Sequence, residues 1–264
     1  MCAKYKKMNR ILLATLIAIT LIIGSCKSNK NKSDNKDNIQ KSDTITEEYF
    51  FPEEFVYNQS TDVLVDKLFP IGWSKDGKLA YILEPADEAI GAYIVRFVIK
   101  DLINNKIIWD KEKMIELNGG EDINDLRAST WKSYYTLIKR KLNQYGIIQQ
   151  KHFTLKSPYF KYKGEDYIIE MHKQIKHDTD MNLDIITGLQ IVIKSPNKGS
   201  KVAYEEKMPK VDYILNAVLK GCFISPYEDR IAILITTERR GYEGPPNVVS
   251  PTIVGTNLET GFKK

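Results

Sequence analysis

The chain has 264 residues, of which 42% are hydrophobic and 28% charged, which is enough apolar material for a domain-sized core. Its formal net charge is +5, but residues 1–25 contain four basic residues and no acidic ones. Without that segment, 35 Lys and Arg stand against 34 Asp and Glu, a net charge of +1. This balance gives no support for nucleic-acid binding, which needs an excess of basic residues clustered on one face.

The beginning of the chain has the pattern of a secretory signal. A start containing four basic residues precedes an apolar run over 11–23, which is 13 residues long. A helix that crosses a bilayer needs roughly 20 apolar residues. Two small residues, Gly24 and Ser25, follow the run and lead to Cys26. The pattern therefore favours a cleaved signal peptide over a permanent transmembrane anchor.

The segment Ile23-Gly24-Ser25-Cys26 resembles the lipobox of bacterial lipoproteins. The resemblance covers residues 1–26 and implies cleavage between Ser25 and Cys26. It also implies a diacylglycerol on the Cys26 thiol and a further acyl chain, such as palmitate, on the new amine. Two or three acyl chains hold a protein on a membrane far better than one. The alternative is an ordinary secretory signal with an incidental cysteine.

The residue after the cysteine bears on localisation. In some Gram-negative bacteria an Asp at this position retains lipoproteins on the inner membrane, whereas this chain has Lys27. We therefore expect a lipid-anchored protein of the cell envelope, on the periplasmic or surface face of the outer membrane rather than on the inner membrane.

The mature chain is predicted to lack an internal disulfide. Cys2 leaves with the signal peptide and Cys26 carries lipid, so only Cys222 remains. Residues 26–48 are polar apart from Ile39 and Ile45, and we predict that they form a disordered tether. The globular domain then spans 49–264, and its stability depends on an apolar core.

The globular domain is predicted to be mainly β, with antiparallel meanders and one helix. Asp76-Gly77 and Asn104-Asn105 are turn signals between runs rich in β-branched and aromatic residues. The predicted strands cover 79–83, 92–102, 106–109, 167–175, 185–194, 211–219, 231–236 and 252–256. An apolar stripe with three- and four-residue spacing predicts one amphipathic helix near 122–145, with Asp122 as N-cap and Gly146 after its end.

Two segment pairs suggest an internal repeat. Residues 73–82 align with 224–233 when one residue is inserted, and 98–109 resemble 192–204. The first pair resembles the Ser-Pro-Asp-Gly-Lys element of TolB-type and WD-type propeller repeats, which implies four-stranded blades. Because a complete propeller needs at least four blades and the helix interrupts the pattern, we expect an incomplete or divergent assembly of blade-like meanders.

A fainter resemblance is to a family of uncharacterised predicted secreted bacterial proteins. Those proteins pair a Ser-Pro-Asp-Gly-type turn with an aromatic-Glu-Gly-Pro loop, which here is Gly241-Tyr242-Glu243-Gly244-Pro245. The resemblance spans most of residues 70–258 and implies no activity.

Residues that could carry chemistry do not form a catalytic motif. Cys222 is the first residue of an apolar stretch, which is typical of a buried cysteine. Ser225 lies in a turn sequence that lacks the nucleophile-elbow pattern. His172 and His177 are five residues apart, so on one strand they point to opposite faces. We predict no metal site and no cofactor, and the sequence favours a protein that is not an enzyme.

The candidate binding loop contains Arg239, Arg240, Tyr242 and Glu243. It joins two predicted strands and is longer than a hairpin needs, as binding loops often are. The alternative is a loop folded on its own sheet with Glu–Arg pairs.

The sequence thus predicts a membrane-anchored binding or interaction module with an envelope protein as a candidate partner. The alternative is an envelope hydrolase whose residues meet only in three dimensions. That alternative predicts a pocket that joins two carboxylates, or a His with a Ser or Asp.

Overall fold

The computed structural model describes residues 51–88, 90–209, 212–242 and 244–264. Glu243 lies outside them, and so do the predicted tether and the residues of the lipobox-like segment, Ile23, Gly24, Ser25 and Cys26. In chain order the elements are β1 (Leu64–Val65), β2 (Lys67–Trp73), β3 (Lys78–Glu84), β4 (Ala92–Asp101), β5 (Lys106–Glu116), α1 (Ile123–Gln144), β6 (Ile148–Gln149), β7 (Tyr159–Tyr162), β8 (Glu165–Asp178), β9 (Leu183–Ser195), β10 (Gly199–Lys207), β11 (Ile214–Ile224), β12 (Arg230–Arg239) and β13 (Val248–Asn257).

The strands form three sheets, each built around an antiparallel meander. The first sheet has the order β5-β4-β3-β2-β6, the second β10-β9-β8-β7, and the third β1-β13-β12-β11. The short strand β1 joins the third sheet from the N-terminal side of the domain and runs parallel to β13. These meanders confirm the predicted fold class, which is mainly β with incomplete, propeller-like blades and one helix.

The third sheet lies between the other two. Along β12, Ile231, Ile233 and Ile235 pack against the second sheet, whereas Ala232 and Leu234 pack against the first. Side chains alternate between the faces of a strand, so this run of apolar residues buries both faces. The third sheet therefore supplies the shared core of the domain.

The helix α1 covers the outer face of the first sheet. Trp131, Ile138 and Leu142 point into the same cluster as Phe97 of β4. The side chain of Asp122 accepts a hydrogen bond from the Asn124 N–H, as an N-cap does. Gly146 follows the helix with φ of 65°, which suits glycine. The predicted helix and both of its end signals are confirmed. Among the described residues, no helix combines the length and apolarity needed to cross a membrane.

The two aligned turns occupy equivalent places, β2 to β3 and β11 to β12. Ser74 N–H bonds the Lys78 carbonyl at 2.9 Å, and Ser225 N–H bonds the Arg230 carbonyl at 2.9 Å. The turns also lie against each other. The space beside Gly77 is so narrow that a Cβ added there would lie 3.0 Å from the Arg230 side chain.

Most observed strands extend beyond their predicted boundaries, and two differ in ways that matter for the candidate residues. Strand β5 continues to Glu116 rather than ending at Trp109, because pairing with β4 supports polar residues that lack a strand pattern. Strand β11 runs from Ile214 to Ile224, not over 211–219, and therefore includes Cys222.

Candidate functional site

The candidate binding loop leaves the end of β12 and is held by a carboxylate from another sheet. Arg239 donates from Nη1 to Glu88 Oε2 at 3.1 Å and from Nη2 to Glu88 Oε1. Glu88 lies between β3 and β4 of the first sheet, and its side chain is only 17% exposed. This two-point pairing fixes the direction of the guanidinium. Arg239 therefore clamps the loop, and its donors face Glu88 rather than solvent.

The loop backbone is held at further points. Tyr242 N–H donates to Glu88 Oε2 at 3.2 Å, and Gly244 N–H donates to the Gly241 carbonyl at 3.1 Å. A Cβ on Gly241 would lie 2.4 Å from the Gly244 carbonyl oxygen, so only glycine fits this turn. Arg240 N–H bonds the Tyr213 carbonyl at 3.3 Å. The loop is thus a folded turn with a fixed base.

The outer side of the loop exposes an aromatic ring. The Tyr242 side chain is 90% exposed, and Ile90, two residues beyond Glu88, is 64% exposed. Arg240 Nη1 lies 3.9 Å from the Sδ of Met181 at the tip of the β8–β9 hairpin. We call Ile90, Met181, Arg240 and Tyr242 the Tyr242 surface. Three separate segments supply it, and it combines apolar groups with one cation.

A half-buried carboxylate, that of Asp66, binds segments next to this surface. Asp66 accepts from Ser250 Oγ at 2.6 Å and from Ala86 N–H at 2.8 Å. Burial raises the pKa of Asp66, and the Ser250 hydrogen bond opposes that shift. The Arg239 hydrogen bond lowers the pKa of Glu88 below its ordinary value. Asp66 therefore ties the junction between β1 and β2 to the β3–β4 loop, which carries Ile90, and to strand β13.

The other predicted residues are placed in structural roles. Cys222 is fully buried in the core between the second and third sheets, and burial raises its pKa to about 12. Ser225 is also buried, and its Oγ accepts from the Tyr227 N–H at 3.3 Å. A protonated, buried thiol is a poor nucleophile.

The predicted histidines do not converge. His172 lies 3.5 Å from Glu170, and His177 lies 2.8 Å from Asp184. In the part of the chain that the structure describes, no group of three His, Cys, Asp or Glu side chains could hold a metal ion.

A second feature is a cavity that sequence reasoning missed. It has a volume of about 370 Å³ and lies between β5 and α1. It is lined by Lys113, Ile115, Ser129, Thr130, Ser133 and Tyr134, and we call it the hydroxyl cleft. The sequence did contain a signal for it. Ser129-Thr130 and Ser133-Tyr134 are two adjacent pairs that lie four residues apart on the helix, which places their side chains on one face.

Comparison with protein-family models, with curated proteins and with solved structures finds no match to this chain.

Proposed function

We propose that this protein is a lipid-anchored binding module of the bacterial cell envelope, and that it recognises a protein partner through the Tyr242 surface. The proposal rests on one observation: the Tyr242 ring is 90% exposed, while the base of its loop is held by the hydrogen bonds between Arg239 and Glu88. A tyrosine on a rigid loop offers large contact area at little cost in conformational entropy. An ordinary connecting loop has no need to hold an aromatic ring in water.

The anchor is the part of the proposal that rests on sequence. The lipobox-like segment ending at Cys26 supports lipidation, and residues 27–48 supply a polar spacer between the lipid and the domain. Lys27 supports the outer membrane over the inner one. In this arrangement the domain is held near the bilayer while the Tyr242 surface stays free to meet a neighbouring envelope protein.

The side chains of the Tyr242 surface indicate which kind of partner surface would bind it. Tyr242 suits a shallow apolar pocket with a polar edge, since its ring is apolar and its hydroxyl can still reach water. Arg240, two residues before Tyr242, adds a cation to the same loop, which favours a partner carboxylate. Exposed aromatic and Arg side chains are the types that dominate binding energy at protein interfaces.

The hydrolase alternative predicts a pocket that joins two carboxylates, or a His with a Ser or Asp. The hydroxyl cleft contains hydroxyls and one ammonium, with no carboxylate or histidine in its lining. No specific observation in the described residues favours hydrolysis, and we propose binding.

The test is site-specific photocrosslinking in intact cells that make the full-length chain. A benzoylphenylalanine at Tyr242 should give a discrete crosslinked band that disappears when Arg240→Glu is added. The matched control is the same probe at Tyr159, which is 60% exposed in β7 and should not give that band. Identical bands from both positions, or a band that survives Arg240→Glu, would contradict the proposal.

A further inference from the structure

One segment of the chain collects cations without acidic residues. Residues 126–164 contain nine Lys and Arg and no Asp or Glu, although the chain behind the predicted signal peptide is nearly neutral. Three of these cations, Lys132, Lys139 and Arg140, are exposed on α1, and Lys141 is half-buried beside them. None of the four forms an ion pair with another described residue. We call these four residues the basic face of α1.

The basic face lies on the side of α1 that does not pack on the sheet. Lys132 and Lys139 are seven residues apart, which is about two helical turns, so they lie on one side of the helix. The side that contains Trp131 packs on the first sheet. Lys111, an exposed residue of β5, adds a cation next to the helix, since its Nζ lies 5.8 Å from the centre of the Tyr134 ring.

The acidic groups of α1 are at its other end. Asp122 caps the helix and Asp125 lies in its first turn. At this end Arg127 binds Glu84, the last residue of β3, and the connection from β3 to β4 that follows carries Glu88. The middle of the basic face lies about 15 Å further along the helix axis. The carboxylate that holds the Tyr242 loop and the basic face therefore belong to opposite ends of the helix.

The chain enters the described domain at the helix-bearing side of the first sheet. Phe51, the first described residue, packs edge-on against Phe69 and Trp131, with ring centres 5.3 and 6.2 Å apart. Trp131 belongs to α1, so the start of the domain lies against the helix. Residues 27–50 connect this point to Cys26, the proposed site of lipid attachment. The proposed anchor thus joins the domain on the side that carries the basic face.

We propose that the basic face of α1 docks on the anionic surface of the membrane that holds the lipid anchor, where its cations contact lipid phosphate groups. This docking rests on the anchor of the proposed function and adds the orientation of the domain. Each Lys or Arg near an anionic bilayer strengthens association about fivefold. The attraction decays within about 8 Å at physiological salt, so only a face held against the headgroups gains it. Docking through this face leaves the Tyr242 loop available to a protein partner.

The test measures how close α1 lies to the bilayer when vesicles hold the purified lipidated chain. A fluorophore on Asn143→Cys labels the exposed side of α1, because Cys26 carries lipid and Cys222 is buried. Energy transfer to an acceptor-labelled lipid should be higher in vesicles with about 30% phosphatidylglycerol than in pure phosphatidylcholine, because only the former are anionic. Salt at about 0.5 M should remove the difference by screening.

Two double variants identify the docking face. Lys139→Gln with Arg140→Gln removes two cations, so the ratio of docked to undocked protein on anionic vesicles should fall about 25-fold. The matched control, Lys173→Gln with Lys176→Gln, removes the same charge from exposed positions of β8 in the second sheet and should leave the transfer unchanged. Equal transfer in the two kinds of vesicle, or an equal loss in both double variants, overturns the docking alone. A chain that neutral vesicles do not retain overturns the proposed anchor and the docking together.

Discussion

Arg239, the last residue of β12, donates two guanidinium hydrogen bonds to the carboxylate of Glu88, which lies 151 residues earlier in the chain. The same carboxylate accepts from the Tyr242 N–H. One acidic side chain of the first sheet thereby fixes the loop that leaves the third sheet. The position of the exposed Tyr242 ring depends on this contact between sheets.

Removing the guanidinium should destabilise the domain and loosen the loop. Arg239→Met leaves the mostly buried Glu88 carboxylate without its cation, and we expect the free energy of unfolding to fall by about 1–2 kcal/mol. Arg240→Met is the matched control on the same loop and should change stability by less than about 0.5 kcal/mol. Urea unfolding of the three proteins measures both values. If both substitutions lower the free energy of unfolding equally, the hydrogen bonds between Arg239 and Glu88 do not provide the expected extra stability.

The clamp should weaken in acid. The Arg239 hydrogen bond lowers the pKa of Glu88 below its ordinary value of 4.5, so its stabilisation is present above pH 4.5 and is lost as the pH falls through the folded-state pKa. Glu88→Gln cannot titrate. The difference in unfolding free energy between the unmodified chain and Glu88→Gln should therefore shrink as the pH falls below that range. A difference that stays constant down to pH 3, roughly, would contradict the assignment.

A second ion pair should hold the helix on the first sheet. Arg127 binds the Glu84 carboxylate from Nε at 2.7 Å and also from Nη2, and Tyr93 donates to the same carboxylate at 2.7 Å. Glu84 is only 5% exposed. Arg127→Met leaves a buried charge without its partner and should cost about 3–5 kcal/mol. Arg140→Met, on the exposed side of α1, is the control for removing a helix cation. A cost below about 1 kcal/mol would be inconsistent with a buried pair.

The buried thiol should be unreactive in the folded protein. Burial raises the pKa of Cys222 to about 12, so the thiolate is scarce at neutral pH and the sulfur is inaccessible. In a chain carrying Cys2→Ser and Cys26→Ser, a thiol reagent should label Cys222 only after denaturation. Because ionisation begins at lower pH in the unfolded chain, stability should also fall as the pH rises from 9 towards 12. Rapid labelling of the folded protein at pH 8, roughly, would disprove this placement.

Local signals predicted the helix and the long hairpins because short-range chemistry determines them. Asp122 and Gly146 mark the helix ends through caps that involve adjacent residues, and Asn182 has φ of 51° in the turn between β8 and β9, which follows the predicted strand over 167–175. Strands β1 and β6 have two residues each, too few to show a pattern, and they form only by pairing with distant strands.

The candidate site was predictable only in part, for the same reason. Loop length pointed to Tyr242, but nothing near Arg239 in sequence indicates Glu88 as its partner. The hydroxyl cleft was missed because Thr130 belongs to the predicted apolar stripe of the helix, whereas Ser133 looks like a polar surface position beside it. Their role depends on β5, which extends past its predicted end to place Lys113 opposite them.

The most direct test of the proposed anchored module is mass spectrometry of the mature N-terminus, after the full-length chain is expressed in a Gram-negative host. We predict a protein that begins at Cys26, carries diacylglycerol on the thiol, and is released from the membrane fraction only by detergent. Cys26→Ser should abolish the lipid mass and the membrane association together. A mature protein that begins elsewhere, or a Cys26→Ser variant that is processed normally and stays in the membrane fraction, would contradict the proposed lipid anchor.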